Sequence, residues 1–533
     1  MTPVRVAALD LTDRPRPAFA LASIEILAFL STALALTLAS VLPPSYIMSP
    51  SLEDCPNEVI EGIVVLLDLN DICGLRQCNR TLATKTTQNH FKSYFRSKHV
   101  DITDSALRTF VDITQPGWLG CLIQHLVLVG VVNNTKALEY ILEEESYLEE
   151  EGKGNREKQI KAQQDLEILE QRQTDYEQLH GSGTDVSLLS EAFSNIVANS
   201  KTGKLLSLSI EVAVYREDAE KRLPPLAGGS WRFIWQSAAD TFHIALRSLA
   251  ASNLLIEKLS IFNDRQLQRC SLACDELGSI DFEHKGLAIS LASLKSLSVS
   301  ISDRVIFHSK KDAERSDDPA DEIDWDESDE ERDIDDVKAE AADRGNFIGL
   351  AKLLQLSSQL EDLEIHQYGL STGVLTQADL HRERLLQRVA EIDTPPNLKR
   401  IELRGLHVRE EDLLAFIRRT GVRKLSMHNV RMSLGTFRSV FNYCTSDAAG
   451  MEELYFDELF EQHLRLYFDG PGHFRFPPLT GPGGSDTLER AGAEVKQQIS
   501  YRSAQEVGIG SPATMEYKLQ RWREYGPPFR GVA

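Results

Sequence analysis

Residues 398–427 read L-K-R-I-E-L-R-G-L-H-V-R-E-E-D-L-L-A-F-I-R-R-T-G-V-R-K-L-S-M, and one short pattern stands at both ends of this stretch. The pattern is apolar, two residues of any type, apolar, one of any type, apolar. It is met by Leu398/Ile401/Leu403 and again by Val422/Leu425/Met427. Strand alternation explains its last two positions, which point to one face. Between the two copies, Glu410 to Arg419 carry Leu413, Leu414 and Ile417 on one side of a helix. Arg418 and Arg419 fall at its negative end, and Gly421 follows as a C-terminal stop.

Working outward, the same pattern recurs at Ile123/Leu126/Leu128, Leu205/Leu208/Ile210, Ile256/Leu259/Ile261, Leu294/Leu297/Val299, Leu360/Leu363/Ile365 and Met451/Leu454/Phe456. Helical spacings separate several copies, as in Phe242/Leu246/Leu249, Phe347/Leu350/Leu354 and Leu434/Phe437/Val440/Phe441. The last three copies start at 398, 422 and 451, spacings of 24 and 29 residues. That lies within the range of about 20 to 29 found in leucine-rich repeats. An ordinary α/β domain is the alternative, but strands alternating with helices favour an irregular, leucine-rich-repeat-like α/β solenoid. Its parallel sheet would line a concave binding side.

Two insertions stretch the repeat, over 143–180 and 303–345. Glu143 to His180 is rich in Glu, Gln and Lys and reads as a solvated helix or mobile loop. Asp312 to Asp336 holds fifteen acidic residues against two basic ones, a composition that cannot collapse into a core, so disorder is expected there. Ser316 in S-D-D-P and Ser328 in S-D-E-E resemble sites of acidophilic kinases, the solvated spacer being the blander reading. From 470 to 533 runs a Gly/Pro-rich tail that regains a helix near Met515 to Tyr525, either capping the repeats or hanging free.

At 533 residues, 42% apolar and 26% charged, the chain can bury a sizeable core. Its formal net charge of -22 argues against a nucleic-acid surface, which needs clustered Lys and Arg. The seven cysteines form no C-x-x-C pair and read as reduced thiols. Cys270 and Cys274 have the spacing to share one helical face, yet no second Cys/His pair completes a metal site, so buried structural thiols are expected. G-x-S-x-G, H-E-x-x-H, G-x-G-x-x-G and the phosphate-loop pattern are absent, and after Thr202-Gly203-Lys204 comes Leu205 where Ser or Thr would be needed. No cofactor, metal or catalytic residue is assigned.

Residues 52–82, L-E-D-C-P-N-E-V-I-E-G-I-V-V-L-L-D-L-N-D-I-C-G-L-R-Q-C-N-R-T-L, read as short helices. Pro56 suits a helix start and Glu58 the positive end of the dipole, with Val59, Ile63, Leu66 and Leu67 on one face. Asn70 and Asp71 are cap candidates for a second helix, and Asn79 for a third. The stretch resembles the F-box family at Pro56, Glu58, Val59, Ile63, Leu67, Asp71, Ile72, Leu75, Arg76, Cys78 and Arg80. Cys55 stands where the family commonly has Leu, and Trp is missing after the third helix.

The resemblance implies three helices docking on a Skp-type adaptor, and through it on a cullin-RING ubiquitin ligase. The adaptor-binding residues would be Pro56, Glu58, Val59, Ile63, Leu67, Ile72, Leu75 and Arg76. Together with His90 to Thr103 and the repeat-like body, it looks like the large filamentous-fungal F-box proteins. The fold expected is therefore α+β: an F-box at 48–100, a substrate-binding repeat region at 101–469 and the tail. Such a chain would be a non-catalytic recruiter of a protein substrate, with no nucleic acid bound. An F-box scaffold without a role in ubiquitylation, or a membrane-anchored interaction module, are the alternatives.

Residues 1–47 bear on location. Ala18 to Leu42 is apolar with only Glu25 charged, long enough to span a bilayer, and Arg5, Arg14 and Arg16 precede it. Three readings stay open: Met48 as the true start, a membrane anchor, or a signal peptide. An F-box needs the cytoplasm or nucleus, so the leader is expected to be absent or to leave the F-box facing the cytosol.

Overall fold

The computed structural model describes residues 51–117, 119–146, 153–225, 231–263, 270–303, 334–341, 343, 345–369, 382–470, 472–473, 484–504 and 512–526. The leader with its apolar run, and Ser316 and Ser328, lie outside them. Among the described residues no helix is long and apolar enough to cross a membrane. The chain divides into two compact units at Arg96/Ser97.

In the first unit four short helices follow one another: α1 Asn57–Val64, α2 Leu69–Cys78, α3 Arg80–Lys85 and α4 Asn89–Ser93. Pro56 is the cap residue of α1 rather than its first helical one. Asp68, not Asn70 or Asp71, caps α2, its carboxylate accepting from the Asp71 N–H at 2.8 Å. Asn79 caps α3 as its position predicts, accepting from the Leu82 N–H at 2.8 Å. Among the described residues of this unit, five apolar side chains are buried: Ile60, Val64, Ile72, Leu82 and Phe91. So small a core needs polar fasteners. Lys85 Nζ donates to the carbonyls of Glu53 and Cys55, and the Glu61 carboxylate accepts from the His90 N–H at 2.8 Å.

The second unit is mixed α/β, with one large and mostly parallel sheet. Its strands are β1 Ser97–Asp101, β2 His125–Asn133, β3 Ser207–Tyr215, β4 Lys258–Ile261, β5 Ser296–Ser302, β6 Asp362–Tyr368, β7 Arg400–Arg404, β8 Lys424–His428, β9 Glu453–Asp457 and β10 Thr487–Ala491. They lie side by side in chain order, and Leu272–Ala273 pairs beside β5. Only β10 runs antiparallel to its neighbour. The last two positions of all eight copies of the apolar pattern fall on β2 to β9, the first position standing two residues before each strand. Residues 97–100, which the sequence assigns to the helical domain, belong instead to β1, paired with β2 from Ser97↔His125 onward.

The registers align the pattern across the sheet. Leu126, Leu208, Leu259, Leu297, Leu363, Ile401, Leu425 and Leu454 are successive partners, as are Leu128, Ile210, Ile261, Val299, Ile365, Leu403, Met427 and Phe456. All sixteen are buried in one cluster with side chains from most of the helices that lie between the strands. The helices between the strands are α5 Asp104–Thr114, α6 Lys136–Ser146, α7 Lys153–Gly181, α8 Thr184–Asn199, α9 Trp231–Ser252, α10 Lys285–Leu291, α11 Ile334–Ala341, α12 Ile348–Leu356, α13 Arg384–Ala390, α14 Glu410–Thr420 and α15 Arg438–Cys444. Phe110, Phe193, Phe242, Leu350, Phe416 and Phe441 carry the helix side of that core.

Gly421 ends α14 in the left-handed region, φ 61°, as its place after the helix predicts. Leu434, grouped with α15 from its spacing, closes the strand Arg431–Leu434 and is exposed. That strand belongs to a second sheet, in the order His407–Arg409, Arg431–Leu434, Phe460–Glu461, Leu464–Phe468, Tyr501–Ala504. The described part of the first insertion is helical: it ends α6 and then forms α7, seated through Ala162 and Leu169 on Leu138 and Ala219. Cys270 and Cys274 flank the strand Leu272–Ala273 rather than sharing a helix, and burial pushes the Cys270 thiol pKa up. The tail docks: α16, Pro512–Tyr525, buries Tyr517 and Tyr525.

Leu425→Ala is expected to cost about 2–5 kcal/mol, through lost burial and the cavity left in the row. Ser426→Ala, one residue along on the other face, is expected to stay within about 0.5 kcal/mol. Urea titration of both variants, followed by circular dichroism, measures the contrast.

Candidate functional site

The first surface is on α1 and the turn after it. Ile60 and Val64 point inward, one helical step apart. Val59 on the other side is 44% exposed, and Val65 and Leu66 are 53% and 68% exposed. Ile63 and Leu67 are half-buried beside them, and the Tyr94 hydroxyl donates to the Leu67 carbonyl at 3.4 Å. A helix of one apolar face would need only Ile60 and Val64. This one is apolar on two sides, and water meets the second.

The eight residues singled out from sequence thus divide. Pro56, Glu58 and Val59 are exposed, with Ile63, Leu67 and Leu75 half-buried. Ile72 is wholly inside the unit. Arg76 faces inward: its guanidinium donates to the Ala83 carbonyl at 2.9 Å and to the Thr87 hydroxyl, and stacks 4.2 Å from the Phe91 ring centroid. It ties α2 to α3 and α4. Val65 was missed because the helical period counted from Val59 passes over it.

The second surface is the face of the large sheet opposite the helices. Two rows line it: Ser298, Glu364, Glu402, Ser426, Tyr455 between the pattern's last two apolar positions, half-buried except for buried Glu402, and Ser300, His366, Arg404, His428, Asp457 just past them, buried except for half-buried His428. In the second row a hydroxyl gives way to imidazoles and charges toward the C-terminal strands, whereas the first returns to hydroxyls at Ser426 and Tyr455. Arg404 reaches Asn263 Oδ1 at 3.3 Å and Glu364 Oε1 at 3.4 Å, while Asn263 donates to the Ser298 hydroxyl at 2.7 Å. His428 lies 3.6 Å from both Glu402 and Asp457 carboxylates, with Tyr455 beside its ring. Sequence alone marks these as the polar members of an alternation, and nothing more.

His366 is the best-defined group on this face. Its Nε2 meets the Glu524 carbonyl at 2.8 Å, and its Nδ1 meets the Ser300 hydroxyl at 2.9 Å. A carbonyl only accepts, so Nε2 carries the proton and Nδ1 accepts from Ser300. Ser300 in turn lies 2.9 Å from Ser271. Burial first, then the Arg404 charge, hold the imidazole pKa down to about 3. The folded protein therefore keeps His366 neutral at any pH near neutrality.

No protein-family model matches the chain, and no curated protein matches it. Among the described residues no group of His, Cys, Asp and Glu is placed to hold a metal ion.

The His366 environment sets a pH dependence. Its unfolded pKa is about 6.5, so below that value the unfolded chain binds a proton that the folded chain refuses. Stability is thus lost as pH falls through that value, by up to about 1.4 kcal/mol per pH unit for this group. Burial holds the His407 pKa well below its ordinary value too, adding a second proton of the same sign. Urea midpoints of the wild type and His366→Gln, compared between about pH 6.5 and about 5, are expected to differ in slope by close to one proton.

Proposed function

We propose that residues 51–96 dock on a Skp-type adaptor, and that the chain is a substrate-recruiting, non-catalytic F-box subunit of a cullin-RING ubiquitin ligase. The observation that carries this reading is the apolar turn of Val59, Val65 and Leu66, with Ile63 and Leu67 beside it, exposed on a unit with little core of its own. Such a turn, rimmed by Glu58 and Asp68, has the make-up of the centre of a protein interface. The P-x-E-V and D-I-x-x-L-R steps of the same segment support the F-box assignment.

The second unit fits a leucine-rich-repeat-like solenoid, since its strands join the sheet in chain order with the apolar rows in register. The half-buried part of its polar face, Ser298, Glu364, Ser426, His428 and Tyr455, is the target-binding surface in this reading. Catalysis then belongs to the ligase. The chain's own contribution is to raise the local concentration of a target lysine, as a bivalent linker does. Its place of work is the cytoplasm or nucleus, and it needs no cofactor.

The test is capture of the purified full chain by an immobilised Skp-type adaptor. Val59→Glu with Leu66→Glu alters exposed positions only, so the fold is expected to persist while adaptor binding weakens at least tenfold, since an unpaired charge is expensive in a dry interface. Absence of capture of the wild-type chain refutes the proposal.

A further inference from the structure

α16 crosses the C-terminal ends of three neighbouring strands, and it meets them at a fixed interval. Tyr517, Arg521 and Tyr525 stand four residues apart on one side of the helix. The Tyr517 hydroxyl donates to the Glu458 carboxylate, next after β9. Arg521 donates to Asn429 Oδ1 at 3.1 Å, next after β8, and to the Tyr517 hydroxyl at 3.0 Å. Tyr525 packs on Gly405, next after β7, so closely that a methyl group on that glycine would come 2.7 Å from the ring.

The three receiving residues are equivalent in the repeat. Each follows its strand directly, and each is in the left-handed region, with φ 73° at Gly405, 50° at Asn429 and 53° at Glu458. That conformation is uncommon for Asn and more so for Glu, and here it recurs at one position of successive units. Four helical residues rise about 6 Å, and neighbouring strands stand about 4.8 Å apart, so one helical step meets one strand.

The two aromatic anchors are desolvated, and Arg521 is half-buried. Tyr517 is 1% and Tyr525 8% exposed. The Arg521 guanidinium lies 4.9 Å from the Phe460 ring centroid. Backbone contacts close the far end, where the Tyr525 carbonyl accepts from the Gly369 N–H at 2.8 Å and the Glu524 carbonyl accepts from His366.

We propose that Gly405, Asn429 and Glu458 form a helix-reading row, that α16 is its built-in occupant, and that a target helix carrying an aromatic residue, an arginine four residues on and an aromatic residue four further displaces it. The proposal rests on the reading of the polar sheet face as the target-binding surface. It names the class of target that face takes. Aromatic and arginine anchors in desolvated positions are the side chains that dominate protein interfaces. The tail would then hold the row closed until a better helix arrives.

The probe is a fluorescein-labelled synthetic peptide of residues 510–527, titrated onto the full chain and followed by polarisation. In the wild type the tethered helix competes at an effective concentration on the order of mM, so binding of free peptide is weak. Tyr517→Ala with Tyr525→Ala in the full chain is expected to bind the peptide at least tenfold more tightly than the wild type. A peptide carrying Arg521→Glu is expected to lose at least tenfold on that variant. A folded double variant that does not bind the peptide, or that binds both peptides alike, overturns the proposal.

Hydrogen exchange on the wild type decides the matter even where the double variant fails to fold. Amides of α16 are expected to exchange through an opening that leaves β7 to β9 protected, and exchange of α16 only together with the sheet overturns the proposal. Adaptor capture on the same protein reads the first surface separately. Capture without peptide binding removes the helix-reading row alone, and peptide binding without capture removes the ligase assignment while the row stands.

Discussion

The register of the two apolar rows governs the second unit. A strand turns alternate side chains to opposite faces, so burying Leu425 and Met427 against helices obliges Ser426 and His428 to face away. A slip of one residue would exchange the two sets, and each neighbour repeats the penalty. Eight strands in one register therefore yield a polar face whose composition the core does not dictate. The core asks only that the alternate positions be compatible with a pleated strand. This leaves Ser300, His366, Arg404, His428 and Asp457 to be set by other demands, and their polar contacts, Ser300 with His366, Arg404 with Glu364 and His428 with Asp457, supply one.

The first unit is governed by scarcity instead. Among its described residues five buried apolar side chains hold four short helices, with hydrogen bonds and one stacked guanidinium added to them. Arg76 cannot be exchanged for lysine on equal terms, because its planar head both stacks on Phe91 and donates to two acceptors. A unit built this way has little to gain from Val59, Val65 and Leu66 as exposed side chains. In the proposed reading their usefulness lies in the adaptor that covers them.

Much of this was legible in the sequence, and the exceptions have physical causes. The eight parallel strands announced themselves because each buries two residues at a spacing of two, after a third apolar residue fixed by the incoming turn. β1 escaped notice because it buries only Val100. β10 closes the edge antiparallel and owes its place to its partner more than to its own pattern. The cap of α2 is Asp68 because the helix begins one turn earlier than the apolar spacing suggests. In α1 the exposed apolar face was easier to see than the buried one, since Val59, Ile63 and Leu66 keep helical period as well as Ile60 and Val64 do. The docking of α16 was out of reach for another reason. His366 and Glu524 are 158 residues apart, and no local pattern encodes that contact.

The match between helix and strands is also self-limiting. A step of about 6 Å on the helix against about 4.8 Å between strands leaves an error of about 1.2 Å at each crossing. Tyr517, Arg521 and Tyr525 span two such steps, so the accumulated offset is about 2.4 Å, within what side-chain rotamers absorb. Two more steps would double it, and the twist of the sheet adds a rotation of roughly 20° per strand. The arrangement therefore selects a helix of three to four turns, and α16, with 14 residues, is of that length. The end anchors differ in kind for the same reason. Tyr517 reaches by a hydroxyl at the tip of its ring, whereas Tyr525 lies flush on a residue without a side chain. A long reach at one end and none at the other is how a straight rod meets a twisted row.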